Sequence, residues 1–221
     1  MLNFILLCVF LVCAGVAWYE GFWNATITLV NILFSTMVAT NYFEPLAAWL
    51  DSILPSYTYF MDYIAIWGLF FLTYTILRFA TGKLSERRLK FNTPIEMAGR
   101  TIVAIWASWV MICFSCTTLY VAPIPRTAFV GSFESQPMAA NFFATVPDRM
   151  WLGFMQSRSR GAFSSWTIHE FDKNSEFIFK YAERRYRLEE YANEHRALTV
   201  GVGGNIFIHL KMMFYSHRVG K

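Results

Sequence analysis

The sequence predicts an all-α membrane protein: four transmembrane helices followed by a mostly helical extramembrane C-terminal extension. Three observations carry this. Four apolar runs reach the roughly 20 residues needed to cross hydrocarbon without a charge near their middles. Only 15% of the 221 residues are charged, against roughly 25% in an ordinary soluble domain, which argues against a water-soluble globule. Charge is also unevenly shared, with six Lys/Arg and six Asp/Glu in the first 121 residues and thirteen and nine in the last 100. The chain therefore divides into a transmembrane domain, 1–122, and an extension, 123–221. A hydrophobic content of 56% excludes disorder, and four cysteines are too few for a disulfide scaffold.

The first run, Met1 to Tyr19, holds one polar residue, Asn3, and is broken by Glu20 and Gly21. It lacks a basic n-region and so reads as an uncleaved helix, although Ala14 to Ala17 would suit a peptidase. The second, Asn24 to Phe43, is expected to stop at Glu44-Pro45, leaving Leu46 to Leu50 as a short helix at the interface with Trp49 at headgroup level. The third runs from Phe60 to Leu77 and is closed by Arg78. The fourth, Thr101 to Ala122, ends before Pro123 and Pro125. Its start lies earlier, because Thr93-Pro94-Ile95-Glu96 has the N-cap hydroxyl, first-turn proline and carboxylate of a capping box.

All six basic residues of this half, Arg78, Lys83, Arg87, Arg88, Lys90 and Arg100, lie in or beside the loop between spans three and four. Short basic loops stay cytoplasmic, so these residues are the topology determinants. By alternation the N-terminus and the extension are expected outside.

Within the spans, Asn24, Thr28, Asn31 and Ser35 recur at four, three and four residues and share one helix face. Ala104 and Ser108 make a small-residue face on the fourth helix. Two uses follow: close helix packing through small and hydrogen-bonding residues, or a lining for a polar solute. The charged residues Glu44, Asp62, Arg78, Glu96 and Arg100 all sit near predicted helix ends, where they can reach headgroups and water. No span has a midplane charge, which weighs against an ion or proton relay. Cys113-Phe-Ser-Cys116 matches a redox spacing but lies in apolar surroundings, where cysteine packs as a small hydrophobe.

In the extension, Pro147 opens a predicted helix, Asp148 to Gln156, whose Met150, Trp151, Phe154 and Met155 need a cover, either membrane surface or the next helix. Ser157 to Arg160 reads as a basic turn. Ser175 to Leu198 is a long amphipathic helix with Phe177, Tyr181, Leu188 and Tyr191 at helical spacing. Its Arg184-Arg185-Tyr186-Arg187 run is interleaved with glutamates, which dilutes a nucleic-acid stripe. Gly201 to Gly204 is a joint rather than a phosphate loop, and Ile206 to Met212 alternates like a short strand. His169, His195, His209 and His217 share no ligand spacing, so neither metal nor cofactor is expected.

Several segments resemble the colicin V production protein (CvpA) family over residues 1 to about 122. They are Gly21-Phe22, Val38 to Phe43, Leu46 to Leu50, Tyr63 to Ile66, Gly82-Lys83-Leu84 and Gly99. The resemblance implies a small four-helix inner-membrane protein with its first and third loops inside, linked to toxin production or export and to envelope integrity, without catalytic residues to carry over. Val103 and Ala107 stand where the family's glycine series would continue beyond Gly99. Together these readings predict a non-enzymatic, multi-pass protein of the bacterial inner membrane. Its expected partners are the bilayer and other proteins or copies of itself, with no nucleic acid. The alternative is a subunit of an oligomeric solute channel or transporter.

Overall fold

The structure is a computed structural model, and it describes residues 2–53, 58–84, 93–124, 142, 145–159, 171, 172 and 174–198. Four long helices, α1 (Leu2–Tyr19), α2 (Phe22–Ile53), α3 (Thr58–Leu84) and α4 (Thr93–Val121), run alternately up and down. All four are long and apolar enough to cross a membrane. Two shorter helices follow, α5 (Pro147–Ser159) and α6 (Phe177–Leu198). Among the described residues there is no strand, only an isolated bridge between Phe142 and Thr145. An all-α membrane fold is what the charge-free runs predicted.

α1 and α2 are joined by a turn in which Gly21 adopts φ +83°, a conformation that costs an L residue with a Cβ roughly 1–2 kcal/mol. Ala25 then donates its N–H to the Gly21 carbonyl at 2.9 Å, starting α2 at once.

α2 departs from expectation. It does not stop at Glu44-Pro45; it continues through Pro45 to Ile53, and Leu46 to Leu50 are its last turns rather than a separate helix. Proline removes one backbone hydrogen bond and crowds a carbonyl, at about 3 kcal/mol. Phe43 and Ala47, on either side of it, are buried, and Phe43 packs on Phe177 and Tyr181 of α6. Tertiary packing therefore holds the helix across its weakest link. With 32 residues α2 is about 48 Å long, well beyond roughly 30 Å of hydrocarbon. The surplus forms the platform on which the extension sits.

α2 packs along α3 and α4, and α1 lies mainly against α4. Close approach is possible because the contacting faces are made of Ala25, Ser35, Ala39, Ala65, Ala104, Ala107 and Ser108, all buried. Hydroxyls on these faces fold back onto their own helices. Thr36 donates to Ile32 O at 2.8 Å, Thr40 to Thr36 O at 2.7 Å, Ser108 to Ala104 O at 2.8 Å and Thr117 to Cys113 O at 3.0 Å. A polar face thus packs without demanding partners across the interface. At Gly99 the approach is closest: an added Cβ would lie 2.7 Å from the Phe22 ring.

α5 begins at Pro147 and extends through Ser159, so Ser157 to Ser159 are helical rather than a turn. The stretch before α6 is tied back to it. Phe171 N donates to Ser159 Oγ at 2.9 Å, Gln156 Nε2 to Asp172 O at 2.9 Å, and Phe177 N to Asp172 Oδ1 at 2.9 Å. These bonds tie the end of α5 to the segment leading into α6, which starts at Phe177. The apolar face of α5 packs mainly on α4: Trp151 and Met155 are buried in the cluster that contains Phe114 and Tyr120 of α4 and Phe43 of α2, with Tyr181 of the next helix, α6, adding to it, while Met150 stays exposed. Gly201 to Gly204, Ile206 to Met212, His169, His209 and His217 lie outside the described residues.

Replacing Gly99 by valine should lower the melting temperature of the purified full-length protein more than alanine does, by an overpacking penalty of about 1–3 kcal/mol. Adding Phe22→Ala should recover part of the loss. Equal losses with and without Phe22, followed by circular dichroism, would refute the contact.

Candidate functional site

Polar groups concentrate at the two ends of the bundle. At the end facing the basic loop, the Glu20 carboxylate lies in the α1–α2 turn and accepts from Arg78 NH2 at 2.5 Å and from Thr28 Oγ1 at 2.6 Å. Arg78 NH1 also donates to Thr28 at 2.8 Å. One turn deeper, Asn31 Nδ2 donates to Thr81 Oγ1 at 3.0 Å. Nearby, the Arg100 guanidinium stands 4.0 Å from the Trp18 ring. This triangle ties the α1–α2 turn to α2 and α3, and it places Arg78 against protein rather than only toward headgroups.

The residues singled out from sequence fall as follows. Thr28, Asn31, Ser35, Ala104 and Ser108 are buried, while Asn24 is half-buried. Arg78 and Arg100 are half-buried and Lys83 is exposed; Arg87, Arg88 and Lys90 lie outside the described residues. Cys113 and Cys116 are buried free thiols. Among the described residues no three His, Cys, Asp or Glu side chains are grouped as a metal site.

The opposite end holds the larger constellation, and it joins the extension to the spans. Asp148, in the first turn of α5, is fully buried and accepts from the Tyr120 hydroxyl of α4 at 2.8 Å. Trp151 Nε1 donates to Thr40 Oγ1 of α2 at 3.1 Å. From α6, Arg185 reaches over the Tyr120 ring at 5.4 Å and is only 4% exposed. One residue earlier, Arg184 pairs with Asp62 of α3, and one turn earlier Lys180 pairs with Glu44 of α2 at 2.7 Å. Lys180 and Arg184, four apart, thus face the two arms of the α2–α3 hairpin.

Burial sets the electrostatics here. It pushes the Asp148 carboxyl above its usual range, partly offset by the Tyr120 hydroxyl and the charge of Arg149. Burial also raises the Tyr181 phenol, and it lowers the Arg185 guanidinium, a shift opposed by Tyr120 and Glu189. The Asp172 carboxyl at the foot of α6 is raised by burial as well, against its hydrogen bonds from the backbone. The exposed Lys180–Glu44 pair contributes little by itself, on the order of 0–1 kcal/mol. The arrangement is one of fastening: Thr40, Glu44 and Asp62 of the spans meet Trp151, Lys180 and Arg184 of the extension, and the Tyr120 hydroxyl donates to Asp148.

Sequence reasoning did not find this end. The signal was present as charge sorting, since Glu44, Asp51 and Asp62 are acidic with no basic residue between them, and the extension carries thirteen Lys/Arg against nine Asp/Glu.

The colicin V production protein family matches residues 2–143, well over half of the chain. This protein is a member of the colicin V production protein family. The match runs past α4 to residue 143 and so includes Phe142, which is bridged to Thr145 just ahead of α5, whereas the resemblance seen in sequence covered residues to about 122. No curated protein and no solved structure matches the chain. Family membership and the four apolar helices make it a multi-pass membrane protein of CvpA type. Of the glycine series noted in sequence, Gly99 is the position in closest contact; Ala107, where a glycine would continue the series, is buried with its methyl accommodated.

Tyr120→Phe removes the donor to a buried carboxylate and should destabilise docking of the extension by about 1–3 kcal/mol, read as faster cleavage within 123–146 by limited proteolysis. For pH, a carboxyl raised in the folded state stabilises fully below its unfolded value of about 4, and that stability is lost as pH rises through the folded value. Docking should therefore weaken as pH climbs above about 4, and Asp148→Asn should flatten the profile. A wild-type profile that strengthens over this interval, or one unchanged in Asp148→Asn, contradicts the assignment.

Proposed function

We propose that this CvpA-type protein is a non-enzymatic interaction and assembly component of the bacterial inner membrane, with its C-terminal extension on the extracytoplasmic side. The observation that carries this is the fastening of α5 and α6 onto the ends of α2, α3 and α4 through Asp148, Trp151, Lys180 and Arg184. A domain held this way presents a fixed outer surface from which to recruit a protein partner, and the family's link to toxin production gives the setting. Orientation rests on the basic loop: Arg78, Lys83, Arg87, Arg88, Lys90 and Arg100 would remain cytoplasmic.

The alternative, a channel or transporter subunit, draws on the stripe from Asn24 to Ser35. Packing is the better supported use. Thr28 is bonded to Glu20 and Arg78, and Asn31 to Thr81, within one protomer, so these groups are engaged rather than offered to a solute.

Deleting 126–221 should abolish partner recovery in affinity capture while membrane insertion persists; unchanged recovery would count against the proposal. Single cysteines placed at Asp51, Lys83 and Arg187 should label from outside, inside and outside respectively, and any other pattern overturns the sidedness. In liposomes, a solute flux that Asn31→Leu suppresses would favour the channel reading instead.

A further inference from the structure

A groove of about 520 Å³ lies along the last turns of α3, lined by Tyr74, Thr75, Arg78, Phe79, Gly82 and Lys83. It is far from the extension and belongs to none of the contacts that fasten it. Its composition is divided. A phenol, a hydroxyl, a guanidinium and an ammonium line it together with Phe79, 66% exposed, which continues a ridge of exposed Ile76 and Leu72 along the helix. Gly82 presents no side chain, and an added Cβ there would meet nothing, so the floor is open.

The charges in this groove are not equivalent. Arg78 is neutralised by Glu20 and held by Thr28. Lys83 has no carboxylate partner among the described residues, and its Nζ sits 4.5 Å above the Phe79 ring. A lysine placed over an aromatic face at the end of an apolar ridge is poised for a ligand with an anionic head and a hydrocarbon tail. In a membrane-spanning helix this position is at headgroup depth. Arg87, Arg88 and Lys90 follow in the sequence, and a basic stretch of that kind attracts anionic lipid.

We infer that this groove is a binding site for an anionic phospholipid, with its phosphodiester on Lys83 and the neighbouring hydroxyls and one acyl chain lying along Phe79, Ile76 and Leu72. The inference needs α3 to cross lipid but no particular sidedness. Its failure is therefore separable from failure of the topology, which the cysteine labelling reads.

The test is native mass spectrometry of the full-length protein in detergent with equimolar phosphatidylglycerol and phosphatidylcholine. Wild type should retain phosphatidylglycerol several-fold over phosphatidylcholine. Lys83→Gln should bring the two to parity, Phe79→Ala should weaken phosphatidylglycerol retention, and Arg158→Gln on α5 should change nothing. Circular dichroism should show all variants equally helical. Equal retention of both lipids by wild type, or an unchanged preference in Lys83→Gln, would overturn the site. Two further results would also overturn it: an equal loss in Arg88→Gln, pointing to diffuse attraction by the loop, and full displacement by millimolar inorganic phosphate, pointing to a free-anion site.

Discussion

In hydrocarbon a polar group has no water to fall back on, and this protein is arranged around that constraint. Its contacting helix faces are rich in threonine and serine, yet Thr36, Thr40, Ser108 and Thr117 return their hydroxyls to carbonyls of their own helices. The faces then behave as small and nearly apolar, and α2 can lie close along both α3 and α4. Groups too long or too charged for this solution are moved to the ends, where Glu20, Thr28 and Arg78 satisfy one another. Polar stripe and close packing are thus one arrangement.

The same constraint explains the position of the extension. α2 is longer than the hydrocarbon requires, and one end of the bundle gathers apolar and acidic groups: Phe43, Glu44 and Ala47 on α2, Asp62 on α3 and Tyr120 on α4. α5 covers the apolar part with Trp151 and Met155, and α6 answers the acids with Lys180 and Arg184. Tyr120 stands at the junction, donating to Asp148 while its ring meets Arg185. The Lys180–Glu44 pair is solvent-screened and weak, so the Tyr120–Asp148 bond, the largely buried Arg184–Asp62 pair and the aromatic cluster are what hold the unit down.

Much of this was readable from order and composition. Charge-free length located all four spans, although α2 runs on to Ile53 and α3 to Leu84, beyond the predicted Phe43 and Leu77, and the Thr93-Pro94 cap placed the start of α4. The break at Pro45 was misjudged because local backbone cost was weighed without the packing of Phe43 and Ala47 on either side of it. The cover of α5 was sought in lipid or in its sequence neighbour, since periodicity identifies an apolar face and says nothing of what meets it. Nothing local in the sequence marks Lys180 and Arg184 as docking residues, because their partners lie more than 100 residues away in the chain.

What the sequence determined alone was everything set by local chemistry: spans from the hydrocarbon they must satisfy, helix ends from caps and glycine, and the basic loop from its crowding of cations. The tertiary structure decided which faces meet. It made α2 a single helix through proline, turned a hydroxyl stripe inward, and brought the acids of the hairpin to the bases of α6. Such pairings depend on the summed packing of segments distant in sequence, and no local period records that sum.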